Sequence, residues 1–451
     1  ARSHGLLISW RHDQPVTLRA NPNDPLWDAQ WDMQRISMPQ AWDISTGGLT
    51  AAGDTIVVAV LDDGFDLDHE DLSNRYWINR GELPEDGIDN DQNGYVDDYR
   101  GLYLQSGSDD HPRTQHGTAV AGIIGAGGNN ATGISGVNWD VRILAVSGID
   151  RESDIIEGYG YIKRMREQYN ASNGAMGAFI VATNLSAGIN NAFAVDHPEW
   201  CALYDDLGRV GILNVAATTN KNENVDEEGD MPSTCTSDYL VVVTNTDITD
   251  NKLLFAGFGP ESVDLGAPGT TSRTTDINSA YFDFESTSAA APHVAGAVGL
   301  MYATDCTDFL TFVREDPGQA ALRVRTALMS SVDGVTTLAG ITVAGGRLNV
   351  FGAMTGITAY CGGATGDLAI LNVYPNPQRG PVEIAYQSAT LDDHLLLVFD
   401  AAGREITRRT VLPPPTGVKS ETLDTSNLPA GVYVVSLIKG DNIVSSRIIV
   451  P

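Results

Sequence analysis

Apolar and polar positions fall into two regimes along this chain. From about residue 54 to 303, short runs rich in β-branched residues alternate with longer stretches of small and apolar residues. The runs are TIVVAVLD (55–62), VRILAV (141–146), AFIVATNLS (178–186), GILNVAA (211–217) and YLVVVTN (239–245). They are apolar at consecutive rather than alternate positions, as a strand covered on both faces must be. Helices are expected at 116–126, about 153–168 and 288–303. This alternation predicts an α/β domain in which a parallel sheet lies between two helical layers, three layers in all. Past AYCGGATGD (359–367) the pattern shortens to strands broken by turn signals, as in YPNPQRG, HLLLVFDAAGRE and LPAGVYVVSLIKGDN. That part reads as a small all-β, Ig-like sandwich. The expected division is therefore a domain at 24–362 and a sandwich at 363–451, after a polar N-terminal extension or propeptide remnant at 1–23.

Composition narrows the picture. A chain of 451 residues buries a large core. No apolar run reaches the roughly 18 residues a membrane span needs. No secretory leader opens the sequence, so an export signal is expected to have been removed or omitted. With 58 acidic against 28 basic residues the net charge is −30, which argues against nucleic acid as a partner and favours solubility and cation binding. None of the four cysteines has C-x-x-C spacing, which argues against zinc and redox motifs. An even count in an exported protein suggests two disulfides. Neighbourhood along the chain pairs Cys201 with Cys235 and Cys306 with Cys361, but the sequence does not fix connectivity, and four buried thiols is the alternative.

Three segments carry candidate chemistry. VAVLDDGFDLDHEDL (58–72) ends a buried strand on Asp62. QHGTAVAGIIGA (115–126) puts His116 at the mouth of a small-residue helix. ESTSAAAPHVAG (285–296) puts Ser288 at the mouth of another. Singly, each has an ordinary reading as a turn former, a helix-start histidine or an N-cap. Together, in the order Asp, His, Ser, they resemble the subtilisin-like (subtilase) serine peptidases, from about residue 24 to about 357.

That resemblance implies a role for each residue. Ser288 would be the nucleophile, His116 its general base, and Asp62 the carboxylate that orients the imidazole. Asn220 of VAATTN would donate to the oxyanion, and Ser186, Ala187 and Gly188 of TNLSAGI would line the S1 pocket by pairing with the substrate backbone. His293 is expected to be structural. Ser286 and Thr219 stand where the family has glycine, Ala289 where it has methionine, and Asp63 where many members have serine or threonine. In NVDEEGDMP (224–232), Glu227, Glu228 or Asp230 would favour a basic P1 side chain, although a solvated surface loop is the preferred reading.

GIDNDQNGYVDD (87–98) places oxygen donors at alternate positions before a glycine turn, a pattern suited to calcium. The expected ligands are Asp89, Asp91, Asn93, the Tyr95 carbonyl and Asp98. Arg100 at the twelfth position argues against an EF-hand. The family resemblance implies a second calcium site at Asp24, Asp71 and Asn130 with the carbonyls of Gly128, Thr132 and Ile134. Calcium is the one cofactor expected.

The C-terminal pieces VYPNPQRG (373–380), VFDAAGRE (398–405), LPAGVYVVSL (428–437) and the final IIV resemble the sorting domain of the type IX secretion system. The resemblance implies export, with later removal of this domain or attachment to the surface. A generic sandwich that binds partners or carbohydrate is the alternative. The expectation is a secreted or cell-surface, calcium-stabilised serine endopeptidase, monomeric, whose partners are peptide or protein substrates and the secretion and sorting machinery. The rivals are a catalytically inactive surface binding protein on the same scaffold and a lipase-type hydrolase, and the latter lacks the G-x-S-x-G elbow it would need.

Overall fold

The computed structural model describes residues 21–362 and, beyond them, 368–374, 376, 378–388, 394–401, 403–411, 418–439 and 442–451. Residues 1–20 of the expected extension and 363–367 at the expected boundary lie outside the described residues.

Among the described residues one nine-stranded sheet runs in the order Asp333–Gly334, Gly346–Arg347, Leu265–Pro268, Leu240–Thr246, Leu213–Ala217, Phe179–Leu185, Ile56–Asp62, Arg142–Ser147, Leu102–Tyr103. The five apolar runs form its contiguous centre and pair in parallel. Only the edge pair Asp333–Gly334 with Gly346–Arg347 is antiparallel. Side-chain alternation explains why these runs are apolar throughout. Ile56, Val58 and Val60 enter the core on one face, and Val57, Ala59 and Leu61 enter the core on the other. The first face packs against the helices Gln115–Gly125 and Thr287–Met301, and the second against Glu152–Ser172 and Pro198–Arg209.

Chain order reverses at Ile56–Asp62. The next long strand, Arg142–Ser147, lies on one side of it, and Phe179–Leu185 on the other. Sheets of this kind open a crevice at the carboxyl ends of the strands where the order switches. Asp62 and Ser186 stand there.

The sequence patterns do not signal the helix Pro198–Arg209, the two-residue edge strands or the hairpin Ser272–Asp276/Ala280–Phe284. Beyond residue 367, the strands Leu368–Tyr374, Pro381–Ser388 and Val418–Asp424 form one antiparallel sheet, and Glu405–Val411, His394–Asp400, Gly431–Lys439 and Asn442–Val450 form another. Val382, Ile384 and Tyr386 of one sheet and Leu396, Val398, Val435, Leu437 and Ile448 of the other share a single core, as a sandwich requires.

Candidate active site

Asp62 closes its strand and is only 2 % exposed. Its Oδ1 accepts from His116 Nδ1 at 2.7 Å and from the Asp63 N–H at 2.8 Å. Oδ2 is buried and takes no hydrogen bond from the described residues. His116 is the second residue of its helix, and Asp63 caps that helix by accepting from Thr114 Oγ1 and the Gly117 N–H. Helix and aspartate turn come this close because Gly117 has no side chain: a Cβ there would lie 2.1 Å from the Gly64 carbonyl oxygen. The hairpin supports the other side. Thr274 and Thr275 donate to the Ala119 and Thr118 carbonyls, and Phe284 meets the His116 ring edge-on at 5.5 Å.

Burial pushes the Asp62 carboxyl up from its ordinary range, against the pull of the imidazole. Desolvation lowers the His116 pKa, but the charge and hydrogen bond of Asp62, with Asp63 behind it, outweigh burial, so the net direction is up.

Ser288 is the second residue of a wholly buried helix and is 5 % exposed. Its Oγ lies 3.4 Å from the Ser186 carbonyl oxygen and forms no hydrogen bond with His116 among the described residues. Ser186 Oγ donates back to the Ser288 carbonyl at 3.3 Å. That carbonyl is available because Pro292, one turn later, has no N–H to give it.

Thr287 orients Asn220. Its N–H donates to Asn220 Oδ1 at 3.0 Å, and its hydroxyl lies 2.8 Å from the same atom. A backbone N–H can only donate, so that atom is the amide oxygen, and Nδ2 stays unspent among the described residues. A cavity of about 240 Å³ adjoins Ser288 and Asn220, with Ser186, Ala187 and Gly188 in its wall. Glu227 and Glu228 are exposed, whereas Asp230 is buried in the cavity lining. The other histidine of the motif, His293, is fully buried, with Nδ1 on the Ala289 carbonyl and Nε2 against Asp32.

The acidic loop brings expected ligands together with one residue outside the motif. Glu82, Asp91 and Asp98 bring carboxylate oxygens within 4.8 Å of one another, all buried. Asn79 and Asn93 turn their amide nitrogens onto Asp91 and Asp98, since the N–H groups of Gly81 and Tyr95 claim the amide oxygens. Asp89 lies beside Asp91, their Oδ1 atoms sharing the Asn93 N–H, and its Oδ2 accepts from the Gly94 N–H. Glu82 was not legible as a partner, because it precedes the alternating motif. Its Oε1 accepts from Asn90 and Asp91, while Oε2 is buried with no donor. Burial, with the neighbouring acids, pushes the Asp98 carboxyl up to about 6. An orphaned oxygen amid three buried carboxylates fits a hard divalent cation.

At the second expected calcium site the residues also meet. Asn130 donates its N–H to Asp24 and its side-chain N–H to Asp71, while Ile134 N–H and Tyr281 OH reach the other Asp71 oxygen. Thr132 N–H bonds back to Asn130 Oδ1, and Gly128 opens the same loop.

Cys201 and Cys235 form a disulfide, with Cα atoms 5.3 Å apart. Cys306 is also disulfide-bonded, and the Cys361 side chain lies outside the described residues. No helix among the described residues is long and apolar enough to cross a membrane.

Comparison with known proteins identifies the family of each part of the chain. Residues 53–346 match the Subtilase family and residues 372–451 match the Secretion system C-terminal sorting domain. Thermitase of Thermoactinomyces vulgaris is 29 % identical over 343 residues, covering 74 % of this chain and 99 % of its own. Subtilisin-like protease 1 of Plasmodium berghei is 28 % identical over 307 residues, 62 % of this chain, and the chain spans 47 % of that relative's length. A solved protease structure from Pseudoalteromonas arctica shares the fold with a TM-score of 0.55 at 22 % identity, over 75 % of this chain and all of its own.

Proposed function

Because this chain belongs to the subtilase family, we propose that it is a secreted serine endopeptidase acting through Asp62, His116, Ser288 and Asn220. The 2.7 Å bond between His116 Nδ1 and the buried Asp62 carries the reading, because it fixes the tautomer and leaves Nε2 free to take a proton. When a peptide lies along Ser186–Gly188, the Ser288 hydroxyl leaves the Ser186 carbonyl and attacks the scissile carbon. His116 takes its proton and returns it to the departing amine, while Asp62 stabilises the imidazolium. Asn220 Nδ2 donates to the oxygen that becomes negative. Water then releases the acyl group from Ser288 by the same steps.

Residues 24–362 form the peptidase unit in this reading and 363–451 the sorting unit, whose family places the protein outside the cell or on its surface. Glu82, Asp91 and Asp98 would hold one calcium ion and the loop around Asp24, Asp71 and Asn130 another. A bound ion would supply structural charge compensation, and the proton transfers would rest on the side chains alone. The protein acts as a monomer, its second disulfide joining Cys306 to Cys361.

Cleavage of casein and labelling by a serine-directed phosphonate test the proposal. Ser288→Ala is expected to abolish both while leaving the melting temperature within a few degrees. Cleavage that survives the substitution would remove Ser288 from the mechanism, whereas a matured wild type that neither cleaves casein nor takes the label would favour the inactive-scaffold reading.

A further inference from the structure

We propose that Asp230 makes the cavity beside Ser288 select a cationic side chain, lysine or arginine, at the residue preceding the cleaved bond. The inference rests on the peptidase reading above and adds its substrate class.

The cavity wall is made by short side chains and backbone, namely Ala187, Gly188, Ala217 and Thr218, with one ionisable group in its depth. Asp230 is 3 % exposed. All of its bonds fall on one oxygen: Oδ2 accepts from Ser233 Oγ at 2.5 Å, Thr218 Oγ1 at 3.2 Å and the Thr219 N–H at 3.0 Å. Oδ1 takes no hydrogen bond from the described residues, yet it is not sealed from solvent. Gly188 closes the wall over this point, since a Cβ there would lie 2.0 Å from the Met231 carbonyl oxygen.

The three donors are neutral, so they orient the carboxylate without cancelling its charge. Lys221 is the basic residue in the cavity lining, and its ammonium is committed to Asn191 Oδ1 at 3.0 Å and Glu223 Oε1 at 3.7 Å. Burial, with a smaller push from the negative Glu223, raises the Asp230 carboxyl to about 6, which leaves it ionised at neutral pH and above. A carboxylate held by one oxygen and open on the other keeps acceptor capacity for a cationic donor. An amide at 230 would satisfy the same three donors through its oxygen. What the acid adds is charge aimed into the cavity, and a guanidinium or ammonium entering beside Ser288 would meet it.

The test uses the full, matured chain and peptide anilides that differ only at P1: Arg, Lys, Leu and Phe. Wild type is expected to favour Arg and Lys over Leu in kcat/KM by about tenfold to a hundredfold, the range of one charged hydrogen bond. Asp230→Asn should bring that ratio toward one, chiefly through KM on the basic substrates, and should weaken competitive inhibition by benzamidine. Preference for Leu or Phe in wild type, or a ratio unchanged in Asp230→Asn, would overturn the inference, and the wild-type result alone decides it where the variant does not fold. A small neutral phosphonate that labels Ser288 separates the two readings. Labelling without basic preference refutes the role of Asp230, while absence of both labelling and cleavage refutes the peptidase reading and this one with it.

Discussion

Replacing Asp62 by Asn removes one charge from the site and almost nothing else. The carboxylate shares Oδ1 between the His116 imidazole and the Asp63 N–H, and its Oδ2 has no donor. An asparagine can keep its oxygen in the first place, because the Asp63 N–H demands an acceptor there, and turn its NH₂ to the empty one. The histidine then keeps its tautomer and loses only the attraction between the imidazolium of the transition state and a carboxylate. Opposite charges roughly 4 Å apart attract by about 4 kcal/mol at an effective dielectric near 20. At 1.36 kcal/mol per decade, that is a loss of about 10³ in kcat/KM. The pH profile gives an independent sign. The base must be neutral in free enzyme, so activity falls as pH drops through the His116 pKa. Asp62 raises that pKa, so its removal should move the acid limb to lower pH. Stability should not follow activity. A buried acid whose folded pKa is raised costs stability above its ordinary range, so neutralising it should leave the melting temperature at neutral pH unchanged or higher. Peptide hydrolysis from pH 5 to 9 and thermal unfolding are the two assays. Activity within tenfold of wild type, or an acid limb displaced upward, would refute the reasoning.

Two further outcomes follow from neighbouring contacts. Asn220→Ala should lower kcat by about 10²–10³ with KM little changed, and Thr287→Val, which keeps the N–H bond to Asn220 but loses the hydroxyl, should cost about fivefold; single-turnover acylation rates compare them. Chelation should lower the melting temperature, since an ion at a hundred times its Kd adds about 2.7 kcal/mol, and Glu82→Gln should shrink the difference between melts in calcium and in EDTA, whereas identical melts for wild type would argue against structural calcium.

The sheet centre was legible because double-sided burial leaves an unbroken apolar run. The edge strands were not, because two residues such as Gly346–Arg347 carry no periodicity. The candidate residues Asp62, His116 and Ser288 were legible because each sits inside its own local motif. What joins the motifs was hidden. Nothing in TTN announces that Thr287 will orient Asn220, and nothing in RGELPED shows that Glu82 will fold back onto Asp91 and Asp98. Asp230 shares its stretch with Glu227 and Glu228, and only the tertiary fold separates the one buried acid from the two solvated ones.

The start of the helix that carries Ser288 explains why the substitution at 286 matters. Ser286 holds φ at +120°, a region glycine enters freely and other residues occupy at about 1–3 kcal/mol. In return its Oγ accepts from the Ser288 N–H at 3.2 Å, an N-cap bond a glycine could not make. Thr287 is committed to Thr218 and Asn220, and the Ser288 carbonyl, released by Pro292, is taken by Ser186. The Thr287 and Ser288 N–H groups and the Ser288 carbonyl are thus engaged, while the Ser288 hydroxyl, the proposed nucleophile, makes only a long contact at 3.4 Å. The same cap occupies the backbone donor nearest the nucleophile. In the proposed mechanism the oxyanion would then depend on Asn220 Nδ2, so straining serine into a glycine conformation at 286 would leave oxyanion binding to one side-chain amide and the threonine that aims it.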